Sequence, residues 1–380
     1  MKIGLPLEIM IGEGRIALTP CDCKQLVDAG NTVYLQQDAG KNSAYPDSLY
    51  KDYGVEIVAN AQQLYEQAQL IVKVKQPLAQ DIQYLRQHHV LFSYLHLAAD
   101  IELIESLRAI GLCAIPFESV VGEDGGLPLL APMSQVAGRI AMIRGASLLF
   151  RNRGGRGVLL GGVDGSDRGQ VVVLGAGIAG SHAVAVAASL GACIDVLDID
   201  EEKLQQLKTQ HPSIRTHRST PETVAELCTE ADLVIGAVLL AGRRAPVVLP
   251  KSVVRQMHAG SVIVDIAIDQ GGCVEGIHAT SIEQLCYSEY GVIHSAVPNM
   301  PAAVARTSSQ SLSSAILPYV HELATIMDSD TELSVTAREE GALQNQSYRQ
   351  TSLRQAMAIC HGEVVDTILR QELQREPSMV

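Results

Sequence analysis

Short apolar runs alternate with amphipathic stretches along most of this chain, a pattern that predicts strands and helices taking turns. In the first part, Ile3 to Pro6, Thr32 to Leu35, Leu70 to Val74, Val90 to Leu95 and Leu112 to Ile115 read as buried strands. Helical spacing falls between them, at Ile82 to Gln87 and Ile101 to Ile110. Thr19-Pro20 supplies a cap residue and a proline for a first helical position, and Gly30 closes that helix. A second alternating series has strands at 171–174, 193–197, Leu233 to Val238, Val262 to Ile268 and Val292 to Val297. Two longer periodic stretches, Met133 to Phe150 and Ser308 to Met327, bracket it and read as linking helices. The polar segment from Asp328 to Asn345 reads as a loop, and no internal repeat is visible.

The strand Val171 to Leu174 breaks into Gly175-Ala176-Gly177-Ile178-Ala179-Gly180 and continues as a small-residue helix. Here Gly175 allows the tight turn, Gly177 lets backbone amides approach a pyrophosphate, and Gly180 lets the helix pack close to the sheet. The next strand-like run ends on Asp198, where a carboxylate can accept hydrogen bonds from a ribose 2′-OH. The predicted fold class is α/β, with two doubly wound Rossmann-like domains joined by long helices. The NAD-binding domain, 134–304, is inserted in a substrate domain formed by 1–133 and 305–380, with an expected substrate cleft between them.

Composition narrows the class. A chain of 380 residues is long for one core and suits two domains. With 19% charged and 47% hydrophobic residues, it has the balance of a globular enzyme. The net charge of −13 and the absence of Trp argue against a nucleic-acid partner, which needs a basic footprint. No apolar run is long enough to span a bilayer, and the N-terminus has no signal-peptide pattern, so a cytoplasmic enzyme is expected. The eight cysteines are scattered, with only Cys21 and Cys23 close, and read as packing residues rather than metal ligands.

Four ionisable residues fall where a doubly wound fold gathers its ligands, beyond strand C-termini. They are Arg15 in the first loop, Lys75 after Ile71 to Val74, His96 after Leu91 to Leu95, and Asp269 after Val262 to Ile268. Each has an ordinary structural reading as a loop charge, snorkelling strand end, satisfied histidine or turn cap. As a set beside a dinucleotide turn they form a chemical inventory. A guanidinium captures a carboxylate, an ammonium or imidazolium stabilises a developing oxyanion, and a carboxylate handles protons on an amine or water. That inventory fits hydride transfer to or from a small 2-oxo acid. His182 reads as a helix-surface or packing histidine, and Cys273 as a packing residue. Arg243 and Arg244 could reach a 2′-phosphate, but Asp198 would repel one, which favours NAD over NADP.

At these positions the chain resembles the alanine dehydrogenase and pyridine-nucleotide transhydrogenase family, on its bacterial alanine dehydrogenase side. The matching segments include Glu8 to Pro20, Val72 to Lys75, Tyr94 to Leu97, Leu127 to Arg139, Gly157 to Val163, the glycine turn, Ala231 to Val238, Val264 to Cys273 and Asn299 to Pro301. The resemblance runs from residue 1 to about 325, and Ile359 to Val365 resembles the family's last helix. It implies reversible NAD-linked oxidative deamination of L-alanine to pyruvate and ammonium by a cytoplasmic homohexamer. It also implies that Arg15 and Lys75 bind the pyruvate carboxylate and carbonyl, that His96 is acid/base at the carbonyl oxygen, and that Asp269 serves the ammonia and water of the carbinolamine step. Leu130 and Met133 would wall the substrate methyl. The implied cofactor contacts are Ser134, Ile178, Ala179, Asp198, Lys203, Ser219, Val238, Leu239, Ile266, Ala267, Ile268, Asp269, Val297, Pro298, Asn299 and Met300. The chain departs from the family at Gln76, usually an acid, Asp164, usually proline, and Pro298, which removes a backbone donor. Rival readings are an NAD-binding subunit of a proton-translocating transhydrogenase, a saccharopine- or opine-type dehydrogenase, and a non-catalytic NAD sensor.

Overall fold

The computed structural model describes residues 1–238, 244–281, 283–328 and 348–374. The expected cofactor contact Leu239, Arg243 and nearly all of the 328–345 segment lie outside them. The chain folds as two compact units, Met1–Met133 with Ala302–Val380, and Ser134–Pro301.

In the first unit, six parallel strands are β1 (Lys2–Leu5), β2 (Thr32–Gln36), β3 (Glu56–Val58), β4 (Leu70–Val72), β5 (Val90–Ser93) and β6 (Cys113–Pro116). They lie in the order β3-β2-β1-β4-β5-β6, and an antiparallel hairpin, Ile359–Cys360 with Glu363–Val364, adds to the β6 edge. Period-two alternation sends Ile3, Val33, Val72 and Phe92 into one apolar layer and Tyr34, Ile71, Leu91 and Ala114 into the other. Helices on both faces leave β4, β5 and β6 buried at every position, as a parallel sheet requires.

The second unit repeats the plan with β7 (Gln170–Leu174), β8 (Cys193–Asp198), β9 (Arg215–Arg218), β10 (Leu233–Gly236), β11 (Val262–Asp265), β12 (Tyr287–Glu289) and β13 (Val292–Ser295). Their order is β9-β8-β7-β10-β11-β13-β12, parallel except for the β12–β13 pair. In both sheets the strand sequence reverses direction beside the first strand, between β1 and β4 and between β7 and β10. Such a reversal opens a crevice at the strand C-termini.

Several expected boundaries move, each for an identifiable reason. The β11 strand stops at Asp265 rather than Ile268. The buried Asp265 carboxylate accepts the amides of Ala267, Cys273 and Val274, which turns the chain into a 3₁₀ segment, Ile266–Gln270. The helix expected at Ile82 to Gln87 is instead a single turn at Ala79–Ile82, because the Asp81 carboxylate is drawn inward to Lys73 and accepts the Leu78 amide. The segment Ile359 to Val365 is the edge hairpin, and the last described helix begins at Thr367. Strands β3, β9 and β12 are additions, short and polar enough to leave little apolar periodicity.

Lys73 is 1% exposed, with its ammonium 3.2 Å from Asp81 and 3.6 Å from Glu8. Burial pushes its pKa down, but the two carboxylates outweigh burial and leave it above the usual value. Asp81 also accepts the Tyr65 hydroxyl at 3.0 Å. Asp81→Ala is expected to lower unfolding free energy by about 3 kcal/mol or more, since it strips a buried charge of its closer partner. Urea denaturation of the purified protein measures that difference.

Candidate functional site

In the first unit, the crevice between β1 and β4 gathers charge. Glu8, beyond β1, accepts the amide of Val74 at 2.6 Å and that of Lys75 at 3.4 Å, so one carboxylate links the exits of both central strands. Burial holds the Glu8 carboxyl above its usual range, against the lowering pull of Lys73 and the Val74 amide. Arg15 is 2% exposed and bound through Nε and Nη2 to both oxygens of Glu13, at 2.7 and 2.5 Å. Its Nη1 lies 3.1 Å from the Met133 sulfur. Burial lowers the Arg15 pKa, but the Glu13 carboxylate outweighs it and the guanidinium stays charged. The field of Tyr94 also reaches Arg15. Arg15 and Met133 are thus brought together, while Lys75 is half-buried at the β4 exit and Leu130 half-buried just before the helix Ala131–Leu148.

His96 follows β5 with φ of 49°, a left-handed conformation uncommon for a side-chain residue. Glu118 holds it there by accepting the His96 amide at 2.6 Å and the Leu95 amide at 3.2 Å, with its carboxylate 3.9 Å from His96 Nδ1. The imidazole lies nearly parallel to the Tyr94 ring, which Phe117 supports edge-on. Beside Lys75, Gln76 carries a buried Oε1 with no hydrogen-bond partner among the described residues.

In the second unit, the glycine turn occupies the β7–β10 reversal. Gly175 has φ of 105°, and a Cβ there would lie 2.6 Å from the Ala237 carbonyl oxygen. A Cβ on Gly180 would fall 1.8 Å from the Gly175 carbonyl oxygen, so the helix Ile178–Ser189 can approach only with glycine there. Gly177 caps that helix and faces open space, with nothing within 4 Å of a Cβ. Amides at an open helix N-terminus suit a pyrophosphate. Asp198, half-buried, accepts the amides of Ala176 at 2.6 Å and Asp200 at 2.9 Å, and its carboxylate keeps acceptor capacity for a ribose hydroxyl. Ser219 donates its amide to the Asp198 carbonyl. Lys203 is paired on its own helix with Asp200 at 3.3 Å. Ala179 and Ile178 open the glycine-turn helix, Ser134 lies in the first turn of Ala131–Leu148, and Val238 follows β10.

Ile266, Ala267, Ile268 and Asp269 form the 3₁₀ turn after β11, and Val297 to Met300 follow β13. Asp269 is exposed and accepts the Asn299 amide at 3.2 Å, which brings the two turns together; Asn299 itself is left-handed at φ 54°. Pro298 is exposed beside the buried Val297 and Met300. Cys273 is fully buried against Asp265, and burial drives its thiol pKa well up, which makes it unsuited to nucleophilic work. Glu8, Glu13 and Glu118 are the residues that sequence reasoning passed over. Glu13 stands two positions before Arg15 and was within local reach, whereas Glu8 and Glu118 act from 66 and 22 positions away and left no local signal.

The open glycine turn and the acid at the end of β8 define an α/β protein of the dinucleotide-binding class. The chain belongs to the alanine dehydrogenase/PNT family: the family's N-terminal domain matches residues 4–137 and its C-terminal domain residues 141–367. It is 44% identical to an alanine dehydrogenase of Bacillus subtilis over 326 residues, 85% of this chain and 86% of that protein. It is 41% identical to one from Methanococcus maripaludis, covering 85% and 87%. A solved L-alanine dehydrogenase superposes with a TM-score of 0.89 at 41% identity, covering 98% of this chain and 99% of that one. A transhydrogenase from Sinorhizobium meliloti shares the fold with a TM-score of 0.80 at 23% identity, covering 97% of this chain and 100% of that one.

Gly180→Ala is expected to force the glycine-turn helix off the sheet, at about 1–3 kcal/mol or more from overpacking. Thermal unfolding and a fluorescence titration with NADH should both register the change, the second as weaker binding.

Proposed function

We propose that this chain catalyses the reversible NAD-linked oxidative deamination of L-alanine to pyruvate and ammonium. It is an amino-acid dehydrogenase of the alanine dehydrogenase kind. The observation that carries the substrate assignment is 41–44% identity to alanine dehydrogenases along 85% of the chain. The chain carries Arg15, Lys75, His96 and Asp269. An exchange of hydride between two nucleotides has no use for that set, which favours a dehydrogenase over a transhydrogenase subunit.

NAD, held by the glycine turn and Asp198, would supply the hydride acceptor for the alanine Cα hydrogen. In this reading the Arg15 guanidinium, aligned by Glu13, binds the substrate carboxylate, and Lys75 polarises the carbonyl oxygen. His96, aimed by Glu118, gives that oxygen a proton in the direction of amination and removes it in deamination. Asp269 takes the proton from ammonia as the C–N bond forms and returns one as water leaves. Leu130 and Met133 enclose the methyl group, and the carboxylate of Asp198 disfavours the 2′-phosphate of NADP. The same reading makes the protein a cytoplasmic homohexamer, which light scattering tests for assembly.

Purified protein mixed with pyruvate, ammonium and NADH should oxidise NADH, with NADPH a poor substitute and lysine unable to replace ammonium. Absence of turnover with pyruvate would sink this reading. Arg15→Ala should raise the pyruvate KM at least about tenfold, the scale of a lost charged hydrogen bond. His96→Ala and Asp269→Ala should instead lower kcat by about a hundredfold or more.

A further inference from the structure

At the edge of the first sheet, far in sequence from each other, Cys113 of β6 and Cys360 bring their sulfurs to 2.9 Å. Neither cysteine is in a disulfide and both are buried, at 4% and 1% exposure. The closeness is built into the backbone. Ile359 bridges to Ala114 in antiparallel register, so Cys360 falls directly opposite Cys113. Residues facing each other in antiparallel pairs have Cα atoms about 4.5–5.5 Å apart. A disulfide spans about 4.4–6.8 Å, so no strand has to move for the bond to form. Cys360 is in turn fixed by a two-residue hairpin turn, His361-Gly362, whose φ angles of 49° and 83° both lie in the left-handed region. That is the geometry of the tightest twisted hairpin. The Gly362 carbonyl also accepts Arg108 Nε at 3.5 Å.

We propose that Cys113 and Cys360 are a peroxide-oxidisable pair that closes into a reversible disulfide, fastening the C-terminal hairpin to the sheet. The polarity of the pair sets the order of events. The two sulfurs share one hydrogen bond in which either can donate; with Cys113 as the acceptor, that contact and the His361 amide and ring bring Cys113 down to about 7 against burial, while the same contact pushes Cys360 up. Cys113 is therefore the nucleophile and Cys360 the resolving thiol. The Cys113 thiolate attacks one oxygen of hydrogen peroxide, breaking the O–O bond and expelling hydroxide, which takes up a proton to become water. The Cys360 sulfur then attacks the sulfenic sulfur, and its proton leaves with the hydroxyl group as a second water. Two thiols and one peroxide give one disulfide and two waters, with the two electrons passing from sulfur to oxygen. A dithiol reductant reverses the bond by exchange.

His361 brings a third ligand atom within 4.8 Å, so the cluster has a rival occupant in a soft metal ion. A tetrahedral zinc site keeps its sulfurs about 3.7 Å apart and asks for four ligands, whereas this cluster offers closer sulfurs and three groups.

The test is a thiol map of the full chain after stoichiometric hydrogen peroxide, with remaining thiols alkylated before digestion. The expected product is a cross-linked peptide pair joining Cys113 to Cys360, two hydrogens lighter and lost on dithiothreitol treatment. The thermal midpoint should rise by about 5 °C or more on oxidation, as loop closure predicts. Cys360→Ser should abolish the cross-link and let Cys113 accumulate as a sulfenic acid that dimedone captures. Should that variant not fold, the wild-type map alone decides. Both cysteines alkylated after peroxide, either one joined to a different cysteine, or stoichiometric zinc whose chelation frees both thiols would each overturn the proposal.

Discussion

A lysine ammonium enclosed by two carboxylates sits where the first sheet reverses its strand order. Lys73 cannot be hydrated there, so Glu8 and Asp81 must stay close, and Tyr65 must stay on Asp81. Removing such charged groups from water is expensive unless the remaining lone pairs are satisfied as well. They are satisfied by backbone: Glu8 takes the amides of Val74 and Lys75, and Asp81 takes that of Leu78. The electrostatic requirement of one buried charge thereby fixes the path of the loop after β1 and of the chain after β4. Arg15 and Lys75 are carried on those two segments.

The second unit positions its loops with aspartates, and among its described residues no Lys or Arg is buried. Asp198 and Asp265 end β8 and β11 of one sheet and spend acceptor capacity on nearby amides. Asp265, buried and held above the usual carboxylate range by burial, turns the chain so that Asp269 emerges on an exposed 3₁₀ turn. Asp198 holds the glycine turn from the side, through Ala176, and keeps acceptor capacity for a further donor. Carboxylates that accept amides thus aim the loops in both units, and the groups assigned to chemistry are passengers on those loops. Because each loop is over-determined by several hydrogen bonds, left-handed backbone at His96 and Asn299 is tolerated where a single contact would not hold it.

Much of the architecture was legible along the chain. Runs such as Val171 to Leu174 and Val90 to Ser93 are apolar on both faces, and only a strand covered on both sides suits them. The glycine turn was equally plain, since Gly175 and Gly180 meet backbone atoms that no side chain could clear. Illegible were the ends of β4, β5 and β11, where apolar residues continue past the last strand pairing. Val74, Tyr94 and Ala267 look like strand in a local window, yet Glu8, Glu118 and Asp265 take their segments out of the sheet. Each of those acids acts from 22 positions or more away, or across a turn whose shape depends on the rest of the unit, so periodicity could not register it.

What the sequence determined by itself, then, was the two alternating series, the dinucleotide turn and the set of ionisable groups suited to a 2-oxo acid. These are local properties: period, glycine placement and residue type. Tertiary structure alone decided which partner each charge has. Arg15 lies against Glu13 and Met133, His96 is held by Glu118, and Cys113 meets Cys360 across 247 positions. The physical reason is that a charge or thiol responds to whatever stands within a few ångströms, and folding brings distant parts of the chain to that range. The linear pattern records only which groups are available.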